Sequence, residues 1–415
     1  MKFLRSILDK QEKLFSPGSK LEKLYPLYEA GDTFLFTPKD VTKGASHVRD
    51  GADLKRIMSI VVVALFPTML MAMYNTGYQA HKAIAGGALA LDNWQTAAMQ
   101  ALGLAMDPAD ILACIVHGAL YYLPVVIVTL AVGGGLEGIF AIVRKHEINE
   151  GFLVTWTLFP LILPPTIPLW QVGMGIAFGV VFGKEIFGGT GMNIFNPAMM
   201  SRAFLFFAYP AEISGDKCWI AAQTSADGYS GATWLAEAAA FDPAAAGMTV
   251  TEMLDTKVGW QEAFIGFIPG SMGETSALAC LVGAVLLMLC GVGSWRIMSS
   301  LVVGSFAAVL LLNAIGSDTN QLLNVPFHWH IVLGGWAFGA VFMATDPVSA
   351  SHTNLGKYIY GFFIGVLAIF VRVLNPAFPE GMMLAILFMN VFAATIDHYV
   401  VEANVRRRKA RYAAS

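Results

Sequence analysis

Ten apolar stretches, at about 57–75, 111–143, 152–167, 170–186, 197–213, 275–293, 297–316, 329–346, 358–374 and 382–400, dominate this 415-residue chain. Each is long enough, or nearly so, to cross a bilayer as a helix. Only 13% of the residues are charged and 56% are hydrophobic, whereas a soluble domain carries about 25% charge. A surface with so few charges cannot face water on all sides, so lipid must be the solvent for much of the chain. The expected fold is therefore an all-α polytopic membrane protein of about ten transmembrane helices.

Basic residues fix the expected orientation. Lys and Arg are frequent up to Lys55 and Arg56. They recur at Arg144, Lys145, Lys184, Arg296 and Lys357, and crowd the tail from Arg406 to Arg411. With ten crossings and both termini cytoplasmic, all of these fall on one side, as basic loops do in the cytoplasm. The loops 76–110, 214–274 and 317–328 are poor in such residues and fall outside. Arg372 is an exception. The expected divisions are a cytoplasmic arm at 1–55, a first five-helix unit at 56–213, a periplasmic loop at 214–274, a second five-helix unit at 275–400 and a basic cytoplasmic tail at 401–415. The first 55 residues lack an apolar core, so no cleavable signal peptide is expected.

The halves echo one another. Ala177–Phe182 reads Ala-Phe-Gly-Val-Val-Phe and Ala337–Phe342 reads Ala-Phe-Gly-Ala-Val-Phe, each leading into a polar break, at 188–197 and at 345–349. Short strings of Gly and Ala also arise from helix packing alone, but the matching breaks favour a duplication. Five crossings per half would invert the second copy, with broken helices meeting at the membrane midplane.

Polar residues at those breaks need a reason to be there. Backbone leaves a helix inside a bilayer only against protein or a polar cavity. Asn193, Asn196 and Asp346 sit at the breaks, with Thr155 near the start of the third span. Amide donors and acceptors beside a carboxylate suit either the polar edge of a heteroaromatic ring or a cation; the plainer reading is helix capping. Glu137, Glu185, Glu274 and Asp397 also fall within or at the ends of spans, where a carboxylate usually faces a cavity or an ion path. Glu185 beside Lys184 reads as an end-of-helix ion pair. Glu137 and Asp397 are the candidates for a cation pathway, where sodium would compete with a proton. The four cysteines form no CxxC pair, so neither zinc nor an iron–sulfur cluster is expected on this chain alone, and His328 and His330 read as interface histidines. No GxGxxG opens a βαβ unit, so no dinucleotide site is expected. Nucleic acid is not an expected partner.

One loop string, Asp227-Gly228-Tyr229-Ser230-Gly231-Ala232-Thr233, reads locally as a turn. It also resembles the flavinylation motif of the membrane flavoproteins of the sodium-pumping NADH:quinone oxidoreductases (Nqr) and their Rnf relatives. Arg144–Phe152, Asn193–Ala198, Gly270–Thr275 and Thr345–Pro347 resemble further signatures of that family, in its order and across nearly the whole chain. A basic arm as long as 1–55 favours the Nqr branch over the Rnf D type.

The resemblance implies FMN esterified to an exposed Thr233 hydroxyl, with Asp227 and Ser230 in the motif, and a non-covalent riboflavin at Thr155, Asn193, Asn196 and Asp346. It implies ubiquinone as electron acceptor, Na+ as the exported ion, and five partner subunits (A, C, D, E and F) in a bacterial inner-membrane complex. For the quinone, Gly133 and Gly134 offer a flat surface, with Phe204 and Phe206 as aromatic candidates and part of the basic arm as a lid. A non-redox channel or transporter would share the inverted repeat but would be colourless.

Overall fold

The computed structural model describes residues 2–15, 18–19, 21–36, 54–145, 148, 151–215, 217–223, 231–375 and 380–413. Asp227 and Ser230 lie outside them. Among the described residues, five helices are long and apolar enough to cross a membrane. They are α1 (Leu54–Ala85), α2 (Ile111–Arg144), α7 (Trp295–Ile315), α9 (Asn354–Leu374) and α10 (Met382–Ala413). Four shorter apolar helices lie between them, α3 (Gly151–Leu161), α4 (Leu169–Gly183), α5 (Pro197–Ala208) and α6 (Ala277–Leu289). The eighth element, α8, is segmented into Phe327–Val332, Trp336–Phe338 and a π-helical turn at Gly339–Met343. The chain is thus an all-α polytopic membrane protein, and ten apolar elements among the described residues match the ten stretches of its sequence.

Element ends follow local chemistry. Asp110 caps α2, its side chain accepting from Ala113 N at 3.1 Å, and Ser276 caps α6 by accepting from Ala279 N at 3.1 Å. Asn196 caps α5, and Pro197 opens it where its missing N–H is no loss. Two helices overrun their expected ends. The first continues to Ala85 rather than 75, and the last runs to Ala413, carrying the basic tail as helix. Nothing in Tyr74–Ala85 or in the Arg-rich tail breaks a helix, and hydropathy reports the membrane edge rather than the helix end.

Packing repeats from one half to the other. Within the first half α1 packs on α3, α2 on α4 and α4 on α5; within the second, α6 packs on α8, α7 on α9 and α9 on α10. Elements equivalent in this scheme also meet across the halves, α1 with α6 and α5 with α10. This correspondence pairs α4 with α9 and α3 with α8. The echo between Ala177–Phe182 and Ala337–Phe342 therefore joins elements that are not equivalent. Close packing explains it instead. A side chain at Gly179 would strike Ser201 and the carbonyl of Pro197, and one at Gly339 would strike Met382.

Small residues bring backbones together elsewhere, as in lipid they must. A Cβ at Gly361 or Gly365 of α9 would run into the carbonyls of Ile297 or Leu301 on α7. Non-helical backbone is paired rather than left bare. After α3 the chain runs on through fully buried Ile162 and Leu163, and the carbonyls of Leu161 and Leu163 accept from Gly273 N (2.7 Å) and Met272 N (3.0 Å) ahead of α6. Asn75 of α1 donates to the Ile268 carbonyl of that same stretch at 2.9 Å.

Candidate functional site

The break after α4 is made by glycine. Gly188, Gly189 and Gly191 all adopt positive φ, a region open to glycine at little cost, and carry the chain from Lys184 to the start of α5. The break after α8 uses Asp346, whose carboxylate accepts from Val348 N (3.2 Å) and Ser349 Oγ (2.7 Å). The two breaks meet: Asn196 Nδ2 donates to Asp346 Oδ2 at 3.3 Å.

A small cavity of about 50 Å³ opens at this junction. Thr155 from α3, Asn193 and Asn196 from the first break and Asp346 from the second all line it, so four residues far apart in the chain converge. The capping reading is also correct in part. Asn196 Oδ1 accepts from Ala198 N and Met199 N, and Asn193 is engaged by Gly191 N and the Phe195 carbonyl. The amides thus hold the breaks in shape while facing the cavity. Leu158, Leu287 and Phe342 supply its apolar walls. The Thr190 hydroxyl, also in the wall, is buried without a hydrogen-bond partner among the described residues. Buried polar atoms are normally satisfied, so this one is open to a ligand. The mix of apolar faces with a polar rim is that of a small-molecule site.

Lys184 was legible only as a loop cation, yet it is 4% exposed and lines the same cavity. Its ammonium pairs with Glu137 of α2, both side chains being buried. The expected pairing of Lys184 with its neighbour Glu185 is therefore incorrect. Glu185 instead pairs with Arg144, which reaches its carboxylate at 3.2 Å and its carbonyl at 2.8 Å. Adjacent residues point apart once the helix ends at Gly183, and that separation sends each to a different partner.

Asp397 is not an open carboxylate. It accepts from Ser351 Oγ (2.6 Å), His352 N (2.6 Å), Thr353 N (3.0 Å) and Thr353 Oγ1 (2.5 Å), anchoring the turn that opens α9. Four donors give it a structural task that sequence could not show, because they lie some 45 residues upstream in the chain.

The flat surface at Gly133 and Gly134 exists but is already covered. A Cβ at Gly133 would lie 2.6 Å from the Phe152 ring and 2.9 Å from Ile176, and one at Gly134 would lie 3.4 Å from Phe152. Phe204 stacks on Phe178 of α4, ring centres 4.4 Å apart, and Phe206 packs edge-on to Phe207. Glycines and phenylalanines thus occupy two separate packing sites. The arm helix Tyr25–Leu35 does pack on α2.

Thr233 is only 6% exposed, contrary to the expected open hydroxyl. It is the N-cap of the helix Trp234–Ala240, its Oγ1 accepting from Ala236 N at 3.4 Å. Beneath it a smaller cavity of about 10 Å³ is lined by Ser271, Glu274, Thr275 and Glu380. Here two buried cations that sequence left unassigned find partners. Arg202 of α5 reaches both Glu274 carboxylate oxygens at 3.3 Å and Ser271 Oγ at 3.3 Å. Arg372, the exception to the charge rule, is wholly buried and donates to the carbonyls of His330 (2.7 Å), Leu333 (3.1 Å) and Glu380 (3.4 Å). It is a structural clasp for the broken α8 rather than a loop charge.

Comparison with known proteins agrees with this architecture. The chain is 55% identical over 411 residues to the B subunit of the Na(+)-translocating NADH-quinone reductase of Chromohalobacter salexigens, covering 99% of this chain and 97% of that one. It is 54% identical to the protein of the same name from Azotobacter vinelandii and 53% identical to that of Pseudomonas paraeruginosa, covering 98% of this chain and 99% of each relative. The family model described as NQR2, RnfD, RnfE matches residues 41–406. Full-length identity of this order, with the matched region spanning all ten apolar elements, means that the chain belongs to the NQR2, RnfD, RnfE family.

Proposed function

We propose that this chain is the flavin-carrying, quinone-facing subunit of a sodium-translocating NADH:quinone reductase, working with five partner subunits in a bacterial inner membrane, both termini cytoplasmic. The reading assigns riboflavin to the cavity of Thr155, Asn193, Asn196 and Asp346, and FMN to an ester on Thr233. Ubiquinone is the acceptor and Na+ the transported ion. The names of the relatives support the overall activity. The single observation that carries the cofactor assignment is the convergence of those four residues on one cavity.

The residues fit the group. A flavin ring needs apolar faces and a donor–acceptor edge, and the cavity offers Leu158, Leu287 and Phe342 for the one and two amides, a carboxylate and the unpartnered Thr190 hydroxyl for the other. When bound, a flavin supplies one- and two-electron transfer. The chain's part is to orient and seclude it. Asn196 is fixed by its cap bonds to α5, so its amide presents one face; Asp346 is fixed by Ser349 and Val348. Attachment at Thr233 would replace its cap bond to Ala236 and turn the oxygen outward, away from the two carboxylates beneath, which would repel a phosphate. Glu137, buried on α2, is the carboxylate assigned to the cation path.

Flavin accounting on the purified complex tests the assignment. Asn196→Leu should lower extractable flavin per covalent flavin, and Thr233→Ala should abolish in-gel flavin fluorescence of this chain while it still inserts. Fluorescence retained in Thr233→Ala, or an unaltered ratio in both Asn193→Leu and Asn196→Leu, would sink the corresponding half of the assignment.

A further inference from the structure

Lys184 occupies an unusual position. Its ammonium touches the Glu137 carboxylate, yet the same side chain forms part of the wall of the cavity. Both partners are buried, 5% exposed at the side chain, so neither charge is replaced easily by water. The second ion pair of this region, Arg144 with Glu185, is closed on itself and does not reach the cavity wall. Buried charges must balance locally, and Lys184 is the cation that both Glu137 and a cavity ligand can draw upon.

We infer that Lys184 is a shared ammonium, held by Glu137 while the cavity ligand is neutral and drawn toward that ligand when it gains an electron, which leaves Glu137 to bind a monovalent cation. The inference rests on the reading of the cavity as a flavin site. Its balance is simple. One electron arrives from a one-electron donor and adds one negative charge to the cavity; no bond to carbon or hydrogen is made or broken. The Lys184 ammonium shifts its partnership toward that charge, and one cation enters to compensate the Glu137 carboxylate, so the buried region ends with the net charge it began with. A side chain of four methylenes can make that shift without moving the helix, and α4 ends one residue earlier, at Gly183, so the Lys184 backbone is not held in a helix. Lys184 is thus a positioning residue that links electron arrival to cation capture.

Two readouts on the purified complex test this. In a dithionite titration of the extractable flavin, the wild-type midpoint should rise with Na+ concentration, approaching about 59 mV per tenfold increase for a one-electron couple taking up one cation. Lys184→Met should flatten that slope, and Lys184→Arg should largely restore it, whereas a merely structural lysine would leave the slope intact. The second readout needs no flavin. A carbodiimide that modifies carboxyl groups in apolar surroundings should label Glu137 several-fold more once the Lys184 ammonium is removed in Lys184→Met, as read by peptide mass, with Na+ protecting it. Because loss of the Lys184 ammonium beside Glu137 can destabilise the fold, the double variant Lys184→Met, Glu137→Gln serves as the folded control and should show neither labelling nor slope. A wild-type slope in Lys184→Met with its flavin retained overturns the inference, and so does equal labelling of Glu137 with and without Lys184. If Asn193→Leu and Asn196→Leu both keep their extractable flavin, the cavity assignment has failed instead; loss of flavin there with an unaltered slope in Lys184→Met condemns only the shared ammonium.

Discussion

The cavity at the two helix breaks and the charged cluster beneath Thr233 are both polar pockets inside the bundle, and they are built on opposite principles. In the cluster, Arg202 meets Glu274 and Arg372 meets the carbonyls around the broken α8, so each cation is held, although Arg372 Nε has no hydrogen-bond partner among the described residues. In the cavity, about 50 Å³ of space remains beside polar groups whose neighbours hold them in place, and the Thr190 hydroxyl is buried without a partner among the described residues. Polarity inside a membrane protein therefore marks a ligand site only where room is left beside the groups that close on each other. Where little is left, they are clasps.

That contrast can be broken first at the clasp. Removing one partner of a buried ion pair costs about 3–5 kcal/mol, so Arg202→Leu should leave little folded protein, measured by thermal unfolding in detergent. The double change Arg202→Leu with Glu274→Leu should recover much of the loss. Asn196→Leu in the cavity should instead fold and lose ligand; if it unfolds as readily as Arg202→Leu, the two pockets do not differ in kind.

A smaller effect is expected where glycine meets a ring. Gly133→Val places a side chain against Phe152, an overpacking worth about 1–3 kcal/mol, while Gly134→Val has more room. If this face of α2 receives the quinone once Phe152 yields, Gly134→Val should alter the quinone KM more than NADH oxidation by artificial acceptors; equal loss of both activities indicates misfolding.

Asp397→Ala should loosen the turn opening α9 by about 1–3 kcal/mol, several modest hydrogen bonds being lost at a partly exposed site. It should leave the sodium dependence of quinone reduction as it was, whereas Glu137→Ala should raise the sodium needed for half-maximal rate. A raised sodium requirement in Asp397→Ala would return that residue to the cation path.

The smallest effect lies outside the spans. Thr249 and Glu252 form a capping box on the helix Val250–Lys257, and Thr249→Ala should cost about 1 kcal/mol locally, read by hydrogen exchange in that helix. The bond from Thr249 N holds the Glu252 carboxyl below its ordinary range. A depressed carboxyl stabilises the fold above its unfolded pKa, and that contribution is lost as pH falls through the folded one. Protection of this helix should therefore fade in acid, and less so in Glu252→Gln.

Much of the fold was legible because a bilayer imposes a simple rule. Ten apolar stretches became ten apolar elements, and Pro, Asn and Gly runs marked the breaks at 188–197 and 345–349. The cavity residues Thr155, Asn193, Asn196 and Asp346 could be named because a polar residue in an apolar run demands an explanation. The partner of Lys184 escaped notice for the opposite reason. Charges at span ends are ordinary, and nothing local distinguishes a loop lysine from one folded back against Glu137. Arg202 lies inside the stretch 197–213, but its partner Glu274 is 72 positions away.

Sequence alone determined the solvent, the number of apolar elements, the polar breaks between them, and the family to which those motifs point. Each follows from local composition, which fixes what a segment can satisfy by itself in lipid. Partnership was decided by the tertiary structure alone. Lys184 chose Glu137 across 47 positions, Asp346 met Asn196 across 150, and Asp397 was occupied by donors about 45 residues away. Pairing of buried charges and amides depends on which helices lie side by side, and that is settled by glycine contacts and core packing distributed over the whole chain.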